Sequence, residues 1–241
     1  MSRTPRARMR RAVLPLLAAL LAAPLQPAAA AALAAPSAAE RIEGADRFAT
    51  AAAVAARLAP GPGGAVVLAT GTDYADALAA GPVAARLGAP VLLAAGASLP
   101  EPTRSAIERQ RPERIVVVGS ERAVSAEAEA ELRALVPAAA IERHGGRDRH
   151  ETAALLARAF FPGPAAQAFV ATGSDYPDAL VAAPLAAAQG APLLLSRRDC
   201  APEPVDASVA RLLAGVGDGG LRITAIGRAV EPEAVLRSCA A

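Results

Sequence analysis

Two short segments carry nearly all the chemistry this chain offers, and each occurs twice. The first is Thr70-Gly71-Thr72-Asp73-Tyr74, repeated as Thr172-Gly173-Ser174-Asp175-Tyr176. Hydroxyls, a turn glycine, a carboxylate and a phenol within five residues suit hydrogen bonding to a polar ligand such as a sugar. The glycine lets the chain turn sharply, and the free backbone N–H groups of a following helix attract an anion. Asp76 and Asp178 already place negative charge in that turn. Two readings therefore stand side by side: the four aspartates cap the helix and hold the loop, or they join the hydroxyls in binding a ligand. Tyr74 and Tyr176 are the only tyrosines, and with no tryptophan they make a poor platform for stacking sugars. Each could equally pack its ring on a sheet edge.

The second repeated segment runs Gly44 to Ala51 and returns as Gly146 to Ala153. Asp46 and Asp148 are natural helix N-caps. Arg47 and Arg149 then fall at the first helical position, which disfavours a cation unless an anion stands beside it. That anion is either Asp76 or Asp178 of the same unit, or an external phosphate or uronate, which arginine grips in bidentate fashion. Arg41 and Arg143 are looser candidates for acidic contacts. His144 and His150 flank Asp148 and Glu151, but Ile42 and Phe48 stand at their places in the first copy. No metal is expected. Neither a Gly-x-Ser-x-Gly elbow nor a Gly-x-Gly-x-x-Gly turn occurs, so the residues support neither a serine nucleophile nor a dinucleotide site. The repeated acids lie three residues apart and are better explained as caps. No catalytic residue and no cofactor is expected.

These segments belong to a larger duplication. Residues 69–93 and 171–195 are identical at 17 of 25 positions, 102 residues apart. The register continues upstream, where Arg41, Gly44, Asp46, Arg47 and Thr50 fall on Arg143, Gly146, Asp148, Arg149 and Thr152. Downstream it slips, with Gly119 matching Gly227. Such a period suits a small domain duplicated in tandem. Within one unit, apolar runs at 65–69, 91–94 and 114–118 read as strands buried on both faces. Helices are expected over 74–87, stopped by Gly88, over 101–109, and over 126–135 behind the N-cap Ser125. A fourth strand closes the unit at 140–143, and its match at 40–43 predicts that each unit also begins with a strand. The fold class is therefore α/β: two tandem Rossmann-like units with parallel sheets, alternating strands and helices. Ligands of such sheets meet the carboxyl ends of the strands, which is where the repeated loops lie. The first unit spans 40–141. The second, 142–241, stops about one strand and part of a helix early.

Residues 1–35 are different material. Five arginines precede an apolar run at 12–25, followed by small residues with cleavage sites between Ala28 and Ala35, the layout of a secretory signal peptide. Arg10-Arg11 lacks the usual flanks of a twin-arginine signal. The run is interrupted by Pro15 and Pro24 and is short for a membrane span, so no span is expected after its removal. The whole chain carries a formal charge of +2, and removing five arginines with no acid leaves the remainder near −3. No basic tract persists, which argues against nucleic acid as a partner. Cys200 and Cys239 could pair in an exported protein, provided their α-carbons come close enough.

Taken together, the Gly-x-Asp-Arg-Phe-x-Thr-Ala segment, the Ala-Thr-Gly-x-Asp-Tyr-x-Asp-Ala-Leu segment, Gly-Ala-Pro-Val-Leu-Leu, and Ile-Val-Val-Val-Gly-x-x-x-Ala-Val-Ser resemble the bacterial cell wall-binding repeat type 2 family over about residues 41–237. The resemblance implies a secreted or surface protein of a Gram-positive bacterium that attaches non-covalently to the wall through an anionic polymer, without catalysis. Members usually carry three repeats in a pseudo-threefold assembly. This chain shows two, so self-association could supply the missing neighbour. A wall-modifying enzyme, or an accessory or modifier of a peptidoglycan amidase, and a surface protein–protein adhesion module are the competing readings.

Overall fold

The computed structural model describes residues 39–59, 64–163, 165–214 and 220–239. The expected signal peptide lies outside the described residues. Among those described, no helix is long and apolar enough to cross a membrane.

Helices and strands alternate throughout. The first repeat runs α1 (Arg47–Ala55), β1 (Ala65–Thr70), α2 (Ala75–Leu87), β2 (Val91–Ala94), α3 (Glu101–Gln110), β3 (Arg114–Val118), α4 (Ala126–Leu135) and β4 (Ala140–His144). The second runs α5 (Arg149–Phe160), β5 (Gln167–Thr172), α6 (Pro177–Ala188), β6 (Leu193–Ser196), α7 (Glu203–Leu213) and β7 (Arg222–Ala225), then a 3-10 helix, Pro232–Leu236. One sheet has the order β2-β1-β3-β4, the other β6-β5-β7, and every pairing is parallel. This is the α/β, Rossmann-like duplication read from the sequence.

Alternation along the strands explains the layers. Val67 and Ala69 of β1, with Val116 and Val118 of β3, share a buried cluster with Phe169 and Ala171 of β5. Val66, Leu68, Ile115 and Val117 point the other way, into a cluster with α1, α3 and α4. Helices α2, α5 and α6 contribute to the shared cluster, so one apolar layer runs through both repeats, while the outer face of each sheet packs in a cluster of its own. Each fully buried Val, Leu or Phe there contributes about 1.5–3 kcal/mol. Alanine lets the helices approach closely: a β-carbon on Gly81 of α2 would lie 3.5 Å from that of Ala183 on α6. Both helices carry a mid-helix proline, Pro82 and Pro184, at equivalent positions. Each removes one helical hydrogen bond.

Local punctuation follows the sequence. Asp46, Asp148 and Ser125 accept from the backbone N–H three residues on, and Gly88 ends α2 with φ 61°. One expectation fails. Residues 40–43, read as a strand, form none. Their counterpart β4 pairs with β3, the strand that precedes it in the chain. No described strand precedes residues 40–43 to play that part. In the second repeat, the 3-10 helix stands where the first has α4. It is held by the Cys200–Cys239 disulfide, with α-carbons 4.9 Å apart, and by the Ala201–Ser238 bridge.

Candidate functional site

The carboxyl ends of β1 and β3 and the loop leading into α5 enclose a cleft of about 370 Å³. Thr70, Asp73 and Asp76 come from the end of β1 and the start of α2. Ser120 and Arg122 come from the loop after β3. Arg147, Asp148, Arg149 and Thr152 come from the second repeat. The cleft therefore has walls from both repeats.

Its geometry starts with the cap. The Asp148 Oδ1 accepts from the Glu151 N–H at 2.9 Å, which fixes the first turn of α5 and aims Arg149 outward. Arg149 Nη1 donates to the Gly173 carbonyl at 2.8 Å, and Nη2 donates to Asp73 Oδ2 at 3.2 Å. The guanidinium also lies 5.6 Å from the centre of the Tyr74 ring. The expected partner in the same unit, Asp178, is not the one used. Because α5 packs against α2 of the first repeat, Asp73 of that repeat is nearer. Arg47 makes the equivalent bond to the Gly71 carbonyl at 2.6 Å but is itself exposed.

Asp76 and Asp178 do not cap their helices. The N-cap positions fall to Tyr74 and Tyr176, which make no side-chain cap bond. Asp73 Oδ1 accepts from the Ala75 N–H at 3.2 Å and Asp175 Oδ1 from the Tyr176 N–H at 2.8 Å, so these two steady the loops. Asp76 turns instead toward the β3 loop. A β-carbon on Gly119 would sit 2.6 Å from its Oδ2, and one on Gly227 would collide with the carboxylate of Asp178. Both glycines also hold positive φ, 106° and 86°. Burial, and then the nearby charge of Asp73, raise the Asp76 carboxyl above its ordinary value, while a hydrogen bond from Thr152 and the Arg149 charge oppose the rise.

The remaining arginines are held by the protein. Arg122 Nη2 donates to the Arg147 carbonyl at 2.5 Å, and Arg147 donates to Glu151 through its backbone N–H and its Nε. That backbone bond, then the side-chain bond, lowers the Glu151 carboxyl. Arg143, a looser ligand candidate, is occupied internally: it bonds Glu129 and the Gly119 carbonyl. The two tyrosines meet each other, ring centres 5.4 Å apart and edge to face, at the joint between repeats. His150 sits over Gly173 with Nδ1 2.9 Å from the Leu195 carbonyl, and His144 packs on Phe160. Among the described residues, no group of three or more His, Cys, Asp or Glu could hold a metal.

Of the candidate residues, the cleft brings together Thr70, Asp73 and Arg149. Gly71 and Gly173 supply the carbonyls that anchor the two arginines. Thr172, Asp175 and Tyr176 form the equivalent edge of the second repeat. Arg122, Arg147 and Thr152 were missed. Two carried a signal, since Arg122-Ala123-Val124 returns as Arg228-Ala229-Val230, and Thr152 repeats Thr50. Three arginines, three aspartates and several hydroxyls make the cleft a surface for ion pairing and hydrogen bonding together.

Comparison with known proteins gives the arrangement a context. The family described as Cell wall binding domain 2 (CWB2) matches residues 41–129 and 143–229. The Amidase enhancer of Bacillus subtilis (strain 168) is 32% identical over 164 residues, which is 68% of this chain and 22% of that protein. N-acetylmuramoyl-L-alanine amidase LytC of the same organism is 30% identical over 159 residues, 66% of this chain and 31% of that one. Among solved structures, Cwp8 from Clostridium difficile superposes with a TM-score of 0.69 at 28% identity, over 81% of this chain and 32% of its own. Cwp6 from Clostridium difficile gives 0.63 at 26% identity, over 73% and 30%. The match thus spans no more than about a third of each of these relatives.

Proposed function

The chain belongs to the cell wall binding domain 2 family, and from that premise we propose that it is a secreted, non-catalytic protein that attaches non-covalently to an anionic polymer of a Gram-positive cell wall. The observation that carries this reading is the cleft between the repeats, where Arg149 is held by Gly173 and Asp73 beside Arg122 and Arg147. A polymer with both anionic groups and hydroxyls fits such a wall. Arginines meet the phosphate or carboxylate, while Asp73, Asp148 and the threonine hydroxyls accept from sugar hydroxyls. The ligand residues in this reading are Arg149, Thr70 and Asp73, with Thr172 and Asp175 on the equivalent loop of the second repeat, Arg47 at the equivalent position of the first, and Gly71, Gly173, Tyr74 and Tyr176 supporting the arginines and the joint.

Such contacts weaken as salt rises, because exposed charges are screened over about 8–10 Å at physiological ionic strength. The test is binding of the purified protein to isolated wall before and after extraction of its anionic polymers, over a salt series. Retention that survives both treatments would overturn the reading. The Amidase enhancer among the relatives motivates a second one, an accessory of a peptidoglycan amidase. It predicts faster wall digestion by an added amidase, which simple attachment does not.

A further inference from the structure

The helix that opens the second repeat carries a stripe that its counterpart in the first repeat lacks. Arg147, Glu151, Leu155 and Arg158 recur at spacings of 4, 4 and 3 residues. That spacing puts the last three on one face of α5, with Arg147 just ahead of them. The equivalent positions in the first repeat are Ala45, Ala49, Ala53 and Ala56. Where one repeat has four alanines, the other has a ridge of two arginines, a glutamate and a leucine.

The ridge joins three hollows in series. The cleft at β1 and β3 shares Ser120, Arg122, Gly146 and Arg147 with a second hollow of about 520 Å³. That one shares Glu151 and Leu155 with a third, of about 210 Å³, in the groove between α5 and α7. Carboxylates occupy only the near end of this groove. Glu151 is held by Arg147, and Glu203 adds to the negative field around the same arginine. The far end is lined by Arg158 and Arg211, and no ion pair reaches either of them among the described residues. Arg211 donates to the carbonyls of Ala157, Phe161 and Pro162 at the end of α5, and its buried Nε has no partner. Burial, and then the charge of Arg158, depress the Arg211 guanidinium below its ordinary value. Two cations thus face one groove with no anion between them.

We propose that the anionic polymer bound in the cleft continues past Arg122 and Arg147 into the α5–α7 groove, where Arg158, backed by the charge of Arg211, binds a second phosphate or carboxylate of the same polymer chain. This rests on the polymer reading above and adds a length requirement to it. Arg149 opens α5 and Arg158 stands in its last turn, so about 14 Å of helix separates the two anion contacts. Glu203, between them, accepts from the polymer's hydroxyls. The first repeat offers no such extension: Ala56 stands in the place of Arg158, and the neutral Gln110 bonds the Ala55 carbonyl as Arg211 bonds that of Ala157.

Binding isotherms on purified Gram-positive wall, over a salt series, compare the wild type with Arg158→Glu, Arg149→Ala and Arg109→Glu. Arg158 is exposed, so its reversal should leave the fold intact, which circular dichroism checks. Arg158→Glu should weaken retention about three- to tenfold, the reach of one charge-assisted contact, and flatten its salt dependence. Arg109, the sequence counterpart of Arg211, is exposed on α3 and lines none of the three hollows, so Arg109→Glu should change neither. Acid-released wall polymer, fractionated by length, should gain affinity with length for the wild type and lose part of that gain for Arg158→Glu. Retention weakened by Arg149→Ala but untouched by Arg158→Glu would overturn the extended track and leave the cleft reading standing. Equal losses from Arg109→Glu and Arg158→Glu would also overturn it, since net charge alone would then account for both. No retention of the wild type would overturn the polymer reading, and the track with it.

Discussion

Arg149 of the second repeat and Asp73 of the first lie 3.2 Å apart, so the ion pair that closes the joint between repeats is also part of the cleft wall. Structure and recognition share one guanidinium there. The same group donates to the Gly173 carbonyl, which ties the repeated loop of the second unit to the loop of the first. Removing it therefore has two separable consequences.

Arg149→Ala should weaken wall retention by roughly tenfold or more, since a charge-assisted hydrogen bond contributes on the order of 1.5–3 kcal/mol. Folding should suffer by only about 1 kcal/mol, because the pair is 31% and 49% exposed. Arg149→Lys keeps the charge but loses the fork that reaches both Gly173 and Asp73. Its retention should fall between the two. Binding isotherms on purified wall, set beside urea denaturation, separate the effects, and equal losses of binding and stability would refute the division.

The Asp76 carboxyl gives a pH dependence with a definite sign. Its folded pKa lies above the ordinary 3.8, chiefly through burial. A raised pKa contributes stability that is fully present below 3.8 and is lost as pH rises through the folded value. Asp76→Asn should abolish that loss, so the wild type should decline relative to the variant as pH climbs above 3.8. Thermal melts at a series of pH values read the difference. Two curves running parallel would contradict the assignment.

Gly227→Ala should destabilise the second repeat by about 1–3 kcal/mol, the range for a residue forced into a sparsely populated backbone region. Two effects add: φ is 86°, and the new methyl would meet the Asp178 carboxyl. Adding Asp178→Ala removes only the second, so the double variant should recover part of the loss. Full recovery, measured by denaturant midpoint, would mean that backbone strain plays no part.

Reduction of Cys200–Cys239, or Cys200→Ser with Cys239→Ser, should cost about 3–4 kcal/mol by the loop-entropy account for a separation of 39 residues. The loss should concentrate in the 3-10 helix Pro232–Leu236, which packs Ala234 and Val235 into the core at the end of the chain. Hydrogen exchange of that segment with and without reductant is the measurement. Unchanged protection would place the disulfide outside the stability of this region.

Much of this fold was legible because the signals were local. The two-faced apolar run at β1, the stop at Gly88 and the caps at Ser125, Asp46 and Asp148 depend on a few neighbouring residues each. The strand expected at 40–43 did not form: its counterpart β4 pairs with β3, which precedes it in the chain, and no described strand precedes 40–43. For the same reason the sequence offered Arg149 only an aspartate of its own unit or an external anion as a partner. Residues 76 positions apart, Arg149 and Asp73, meet only because α5 packs on α2, and no local pattern carries that contact. The cleft's other arginines are a different case. Arg122 sat in a repeated Arg-Ala-Val triplet and was readable there, whereas Arg147 has Ala45 in the first copy and gave no such signal.

The most direct test of wall attachment through the cleft is co-sedimentation of the purified protein with Gram-positive cell wall, before and after acid extraction of its anionic polymers, across a salt series. The account predicts capture by intact wall that falls as salt rises, is lost on extraction, and is weakened by Arg149→Ala. Capture that persists on extracted wall at high salt, and is indifferent to Arg149→Ala, would contradict it.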